Sequence, residues 1–399
     1  MSSLIGGSSA EEELATLGPW AEPARPIALD ERLGRIEQAR RLMADEGVDA
    51  LLVGAGATLH YFTGLDWWPS ERLVAALIPR KGKPILIAPA FERGSLEAGL
   101  AVEADYRPWE EDESPSELVA AALRELDAET LALDPALPFV FADRIRRSAP
   151  SAAIVDASPI VDGCRSRKSE AELALMRQAK RMTLEVHRMA ARILEEGIRA
   201  SEVRRFIDQA HRALGAAGSS FCIVQFGRST AFPHGLPGDD ELKEGDLVLI
   251  DTGCTVAGYN SDITRSYVFG EPDDEQRRVW EVEREAQQAA FDAVRPGVAC
   301  EEIDAAARRV LERRGFGPGY RMPGLPHRTG HGIGLSIHEA PYLVRGDRTP
   351  LAPGMCFSNE PMIVVPDRFG IRLEDHFHVT EDGAAWFTEP SPSIDTPFG

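Results

Sequence analysis

Five side chains in the second half of the sequence have the types and order of a hard metal site: Asp251, Asp262, His331, Glu360 and Glu374. Asp251 closes the apolar run LVLI, and Asp262 follows eleven positions later, beyond Gly258, Tyr259 and Asn260. Those turn-forming residues predict a hairpin that sets the two carboxylates side by side. Glu360 in SNEP and Glu374 in GIRLEDHFHVT sit in apolar surroundings, where an unpartnered carboxylate is costly. Between the two acid pairs runs HRTGHGIGLSIHEAP, which carries His327, His331 and His338. The spacing of His327 and His331 is that of a helical zinc motif, but such a motif needs a Glu after the first His and a helix, and this stretch is laced with glycine. Taken singly, each acid also has a structural explanation as a strand-end cap, a turn residue or, for Glu374, an ion pair with Arg372.

Together, one imidazole and four carboxylates form an oxygen-rich site suited to a pair of Mn²⁺, Co²⁺ or Zn²⁺ ions. Four carboxylates cancel the charge of two divalent ions. A water held between such ions ionises near neutrality, and ions about 3.5 to 4 Å apart can share nucleophile generation with stabilisation of a tetrahedral oxyanion.

The elements around these residues suggest two domains behind an arm. Residues 1–26 mix Gly-Ser, a Glu run and prolines and read as a mobile arm with Trp20 as a possible anchor. Residues 27–163 alternate helix and strand signals: DERLGRIEQARRLMADEG with its stop at Gly47, then DALLVG, VAALIP, PILIAP, SELVAAALREL, TLALD and AAIVD. That alternation is the pattern of an α/β domain. Residues 164–399 open on a Ser169-x-x-Glu172 capping box, which predicts a long amphipathic helix ending at Gly197. Further helices are expected near 201–214, 274–293 and 301–313, with strands at DLVLIDTG, RSYVFG and through the tail, so that helices pack on one face of a mainly antiparallel sheet. No internal repeat is convincing.

With 44 basic and 64 acidic residues the formal charge is −20, which repels phosphate backbones and anionic lipid and excludes nucleic acid as an expected partner. Cys164, Cys222, Cys254, Cys300 and Cys356 are scattered and form no CxxC pair, so neither a disulfide framework nor a zinc knuckle is expected and a cytoplasmic location is. MSSLIGGSSAEEELATLG lacks a basic stretch followed by an apolar one, and no apolar run approaches a membrane span.

The segments RKSEAELALMRQA, FPHG, LVLIDTG, NSDITRSYVFG, HRTGHGIGLSIHE, SNEP and IRLED, between about 165 and 390, resemble the pita-bread metallopeptidases. That group contains methionine aminopeptidase, aminopeptidase P, prolidase and the metal-free creatinase. LHYFTGLDWWPSERL and PILIAPAFE are similar to the creatinase-type N-domain of the proline-specific members, and prolidase, the Xaa-Pro dipeptidase, is the most similar in pattern. The resemblance implies an α/β N-terminal creatinase-like domain and an α+β pita-bread catalytic domain. It implies two divalent ions per subunit, Mn²⁺ first and Co²⁺ or Zn²⁺ as alternatives. Asp251 would chelate one, His331 and Glu360 the other, and Asp262 and Glu374 would bridge both. His234 in FPHG would lie near the scissile bond, His338 would contact the substrate carbonyl, His327 would line the pocket, and Arg372 would orient the bridging carboxylates.

The implied activity is hydrolysis of the bond before proline in Xaa-Pro dipeptides by a hydroxide bridging the ions, in a homodimer closed by Trp67 and Trp68 of a second subunit. Removal of the first residue from longer Xaa-Pro peptides, or amidohydrolase chemistry resembling ectoine hydrolase, are the alternatives. One departure bears on the choice: relatives usually read EPG, an aliphatic residue and then Tyr, whereas Val364 stands where that tyrosine would line the substrate. A dipeptidase must also hold the free carboxylate beyond proline, for which Arg345 and Arg348 are candidates.

Overall fold

The computed structural model describes residues 5–398. Ile27–Arg165 forms one compact unit, and Ser166 onward, joined by the segment before Ile27, forms the other.

In the first unit the strands are β1 (Ala50–Gly54), β2 (Ala75–Pro79), β3 (Ile85–Pro89), β4 (Asp105–Trp109), β5 (Thr130–Leu133) and β6 (Ala153–Asp156). They form one mixed sheet in the order β4-β3-β2-β1-β5-β6. Every residue of β1, β2 and β3 is buried, which is why these strands read as unbroken apolar runs: both faces of the sheet are covered. Helices Leu29–Asp45, Pro115–Glu125 and Phe139–Ser148 belong to this unit. The helix from Leu29 stops just before Gly47, whose φ of 68° is open chiefly to glycine.

The second unit carries β7 (Phe221–Phe226), β8 (Leu247–Gly253), β9 (Thr255–Val256), β10 (Tyr259–Asn260), β11 (Ile263–Val268), β12 (Gly330–Gly332), β13 (Glu339–Leu343), β14 (Cys356–Asn359), β15 (Met362–Val365), β16 (Phe369–Arg372), β17 (Asp375–Val379) and β18 (Ala384–Trp386). These give a three-stranded sheet β11-β8-β7, a five-stranded sheet β13-β12-β14-β17-β18 and the hairpins β9-β10 and β15-β16, all paired antiparallel. Two helix pairs flank them, Glu170–Arg192 with Ala200–Ala213 and Asp274–Asp292 with Cys300–Arg313. Each pair precedes one of the larger sheets, an internal likeness that the sequence conceals. The Ser169 hydroxyl accepts the Glu172 amide and caps the first helix, yet that helix ends at Arg192 and not at Gly197, which lies in the following turn at φ 89°. Among the described residues no helix is long and apolar enough to cross a membrane.

The arm also differs from its expected form. Residues 1–4 lie outside the described residues, but Ala10–Ala15 is a helix with a Ser9–Glu12 capping box, and Glu13 pairs with Arg192 at 2.6 Å. The Gly6 amide donates to the Ala191 carbonyl at 2.8 Å, and Leu14, Leu17 and Trp20 pack against the core that includes Val203, Phe206 and Ile207. Apolar burial and a paired charge thus hold a segment whose composition alone reads as mobile.

The two larger sheets are joined by a buried ion pair between Arg265 on β11 and Asp375 on β17, 2.7 Å apart and at most 1% exposed. Removing one partner strands the other charge. Arg265→Met is expected to cost roughly 3–5 kcal/mol, measured by chemical denaturation, and Arg265→Met with Asp375→Leu to recover most of it. Equal losses in the single and double variants would show that the pair does not tie the sheets.

Candidate metal centre

Three structural pieces bring the expected ligands together. Asp251 sits on the central strand of the three-stranded sheet, opposite Thr264 of β11, with Asp262 just before β11. His331 is on β12, held where its amide donates to the Ser358 hydroxyl at 2.9 Å, and that hydroxyl donates in turn to Glu360 Oε1 at 3.1 Å. Glu374 bridges to Thr264 at the join of the two sheets, its amide donating to the Thr264 carbonyl at 3.1 Å. Gly330 and Gly332 flank His331 because a Cβ at either would collide with the carbonyl of Ser358 or Glu339.

Donor atoms of His331, Glu360 and Glu374 lie within 4.8 Å of one another, as do those of Asp262, His331 and His338. His331 Nε2 is 3.2 Å from Glu360 Oε1 and 3.8 Å from Asp262 Oδ2. Its Nδ1 is 3.0 Å from the Gly332 carbonyl, which can only accept, so Nδ1 donates there and Nε2 is the nitrogen turned to the carboxylates. Asp251 Oδ1, Asp262 Oδ1 and Glu374 Oε1 are buried with no hydrogen-bond partner among the described residues. Burial first, then the neighbouring carboxylates, push Asp262 and Glu374 well above the usual carboxylate range. Burial alone would also raise Glu360, but His331 beside it brings the group down to about 2. A cluster of acceptors with unfilled valences, crowded by like charge, is the donor set that divalent cations fit.

Arg372 contacts Asp251 through Nη2 and donates from Nε to Thr264 Oγ1 at 3.1 Å, and Thr264 Oγ1 donates to Glu374 Oε2 at 2.8 Å. One guanidinium thereby braces two of the acids. Thr264 drew no notice in the sequence, although strand alternation puts it on the same face as Asp262. His338 presents an edge to solvent while its ring packs edge-to-face on His331, centroids 4.2 Å apart. Burial, then His331, pushes its pKa down to about 4, with Glu360, Arg328 and His234 also within electrostatic reach. His327 Nδ1 donates to the Arg328 carbonyl at 2.7 Å, leaving Nε2 buried with no partner among the described residues.

His234 lines a cavity of about 200 Å³ with Ile223, Gln225 and Ser229, and Ile223 lies directly across β7 and β8 from Asp251. Val364 is 5% exposed and packs in the apolar core, with its amide donating to the Gly324 carbonyl at 3.0 Å. Arg345 is exposed, and Arg348 is 86% exposed and 3.6 Å from Glu301. The cation near His338 is instead Arg328, whose guanidinium stacks 4.3 Å over the Tyr342 ring.

Residues 174–381 match metallopeptidase family M24, and residues 35–167 match the Creatinase/Prolidase N-terminal domain. The chain belongs to metallopeptidase family M24. Among relatives of this M24 chain, the probable dipeptidase PepE of Mycobacterium tuberculosis is 38% identical over 356 residues, covering 88% of this chain and 92% of that protein. The Xaa-Pro dipeptidase of Lactobacillus helveticus is 32% identical over 372 residues, covering 90% and 98%. The crystal structure of dipeptidase PepE from Mycobacterium ulcerans aligns with a TM-score of 0.85 at 34% identity, over 92% of this chain and 97% of that one. The expected architecture is therefore present: a creatinase-type α/β N-domain and an α+β pita-bread catalytic domain of a metal-dependent family.

Because Asp262 and Glu374 bind protons more tightly folded than unfolded, their contribution to the stability of the metal-free M24 chain is complete below the ordinary values of 3.8 and 4.5 and is lost as pH rises through the raised native ones. Glu360, lowered to about 2, acts oppositely, losing its contribution as pH falls from 4.5 towards that value. In scanning calorimetry of metal-free protein, the midpoint of Asp262→Asn relative to the wild type is expected to rise as pH rises above 3.8, a difference that isolates this carboxylate from the buried histidines, which act in the opposite sense. Asp262→Asn is expected to raise the midpoint at neutral pH by roughly 1–2 °C, the shift that about 1 kcal/mol produces in a chain of 399 residues. A lower midpoint for the variant would contradict the crowded-carboxylate account.

Proposed function

We propose that this chain is an Xaa-Pro dipeptidase that uses two divalent cations, Mn²⁺ first with Co²⁺ or Zn²⁺ as alternatives, held by Asp251, Asp262, His331, Glu360 and Glu374. The observation that carries the reading is the clustering of Asp262, His331, Glu360 and Glu374 beside the His338 imidazole, with Asp251 against Asp262 and three of the acids keeping buried oxygens that have no partner among the described residues. Relatives that span nearly the whole chain and are named dipeptidase or Xaa-Pro dipeptidase support the substrate class. When bound, the ions supply an activated water and polarise the scissile carbonyl.

The chain's own residues do the rest. His338, held neutral near pH 7 by burial and by His331, presents an imidazole that can donate one hydrogen bond to the carbonyl oxygen as negative charge develops there. Arg372 keeps Asp251 and, through Thr264, Glu374 in place. His234 and the adjoining cavity beside Ile223 accept the small residue flanking the cleaved bond. We place the substrate carboxylate on Arg328 in preference to Arg345 or Arg348, since Arg328 is the one near His338, and stacking on Tyr342 orders its fork before substrate arrives. Trp68, 83% exposed, and Phe91, 59% exposed, leave apolar surface on the Ile27–Arg165 unit that supports a homodimer. Five free thiols support a reducing, cytoplasmic location.

The direct test is an assay of Ala-Pro, Gly-Pro and Ala-Pro-Ala after loading with Mn²⁺, Co²⁺ or Zn²⁺. Dipeptides are expected to be cleaved and the tripeptide to be a far poorer substrate, with Asp262→Asn losing nearly all activity. Equal rates on the tripeptide would move the assignment to aminopeptidase P chemistry, and turnover of a cyclic amidine without proline release would move it to an amidohydrolase. Arg328→Ala is expected to raise KM for dipeptides by roughly 10–100-fold, the loss of a charge-assisted bidentate contact. Arg345→Ala and Arg348→Ala are expected to leave KM unchanged, and the reverse pattern would return the carboxylate to them.

A further inference from the structure

His376 is absent from the five-residue centre, yet it is the most conspicuously unsatisfied polar group beside it. The imidazole is fully buried, and neither ring nitrogen has a hydrogen-bond partner among the described residues. Strand alternation on β17 explains where it faces. Asp375 turns to Arg265 and Gln287, so Glu374 and His376 share the opposite side. Across the β14–β17 ladder His376 stands opposite Ser358, the residue whose hydroxyl fixes both the His331 amide and Glu360. His376 Nε2 lies 3.8 Å from Glu374 Oε1, too far for a hydrogen bond, and that oxygen is itself unpartnered. Donor atoms of Asp262, Glu374 and His376 all lie within 4.8 Å of one another, the spacing of ligands around a shared ion.

We propose that His376 is a further ligand of the metal centre, acting with Asp262 and Glu374, so that the centre is held by two imidazoles and four carboxylates. The proposal rests on the metal-centre reading above and reverses its order of metals. A second neutral nitrogen donor makes the set softer and favours Co²⁺ or Zn²⁺ over Mn²⁺, because imidazole suits the later metals and carboxylate the earlier ones. An ion at this position also satisfies at once the ring nitrogen and the Glu374 oxygen that the protein leaves unpaired.

The Co²⁺-loaded full chain supplies a readout independent of activity. Each imidazole bound to Co²⁺ gives one strongly shifted, solvent-exchangeable N–H proton signal, so the wild type is expected to show two. His376→Ala and His376→Asn are expected to remove one, and His338→Ala to keep both. Calorimetric titration is expected to show Zn²⁺ affinity reduced on the order of 100-fold in His376→Ala, with a smaller loss for Mn²⁺. A single shifted signal in the wild type, or a second signal that disappears in His338→Ala, would overturn the assignment of His376 while leaving the five-residue centre standing. Failure of the wild type to take up any of the three metals would overturn both. The wild-type signal count requires no variant to fold, and the thermal midpoint of each metal-free variant shows whether its own result reports on the folded chain.

Discussion

Gathering carboxylates where water cannot reach them is the constraint on which the catalytic unit depends. Asp251, Asp262 and Glu374 each have a buried oxygen with no hydrogen-bond partner among the described residues, and Asp262 and Glu374 are held above their normal range by burial and then by neighbouring carboxylates. Such an arrangement persists only where the surrounding fold over-determines it. The Arg265–Asp375 pair locks the two sheets immediately behind Glu374, and Arg372 offsets part of the negative charge from within. Cations complete what the protein leaves open. Metal affinity and fold stability are therefore coupled through the same groups.

The precision of the site comes from backbone as much as from side chains. His331 is aimed by two contacts that leave it little freedom, its amide to Ser358 and its Nδ1 to the Gly332 carbonyl. The glycines on either side are required because strands β13 and β14 approach too closely for a Cβ. Ser358 also holds Glu360, so two donors move as one. Thr264 plays the matching part on the other sheet, linking Arg372 to Glu374. Each sheet thus contributes one small hydroxyl residue that sets the orientation of larger charged ones, the usual way in which outer contacts tune a metal site.

Electrostatics differ between the buried carboxylates and the groups around His338. Deep in the unit, burial and repulsion act on the carboxylates, whereas burial and His331 hold His338 below the usual imidazole range, with the Arg328 guanidinium stacked over Tyr342 nearby.

Composition and pattern in the sequence pointed to the two-domain α/β and α+β architecture, the helices at Glu170–Arg192 and Asp274–Asp292 to within a few residues, and the four acids and one histidine proposed for the centre. These are legible because each is local: a strand period, a capping box, an acid at the end of an apolar run. The helix terminus misread at Gly197 and the arm misread as mobile are places where packing against Arg192 and the Val203–Ile207 core outweighed local composition. Thr264, Ser358, Arg328 and His376 could not be ranked from sequence, since an ordinary threonine, serine, arginine or histidine has no distinctive spacing. Only the tertiary structure decides which hydroxyl reaches a buried carboxylate, which guanidinium lies near His338, and which histidine is buried with no partner for either nitrogen among the described residues. Those properties depend on distances between strands far apart in the chain, and no local pattern encodes them.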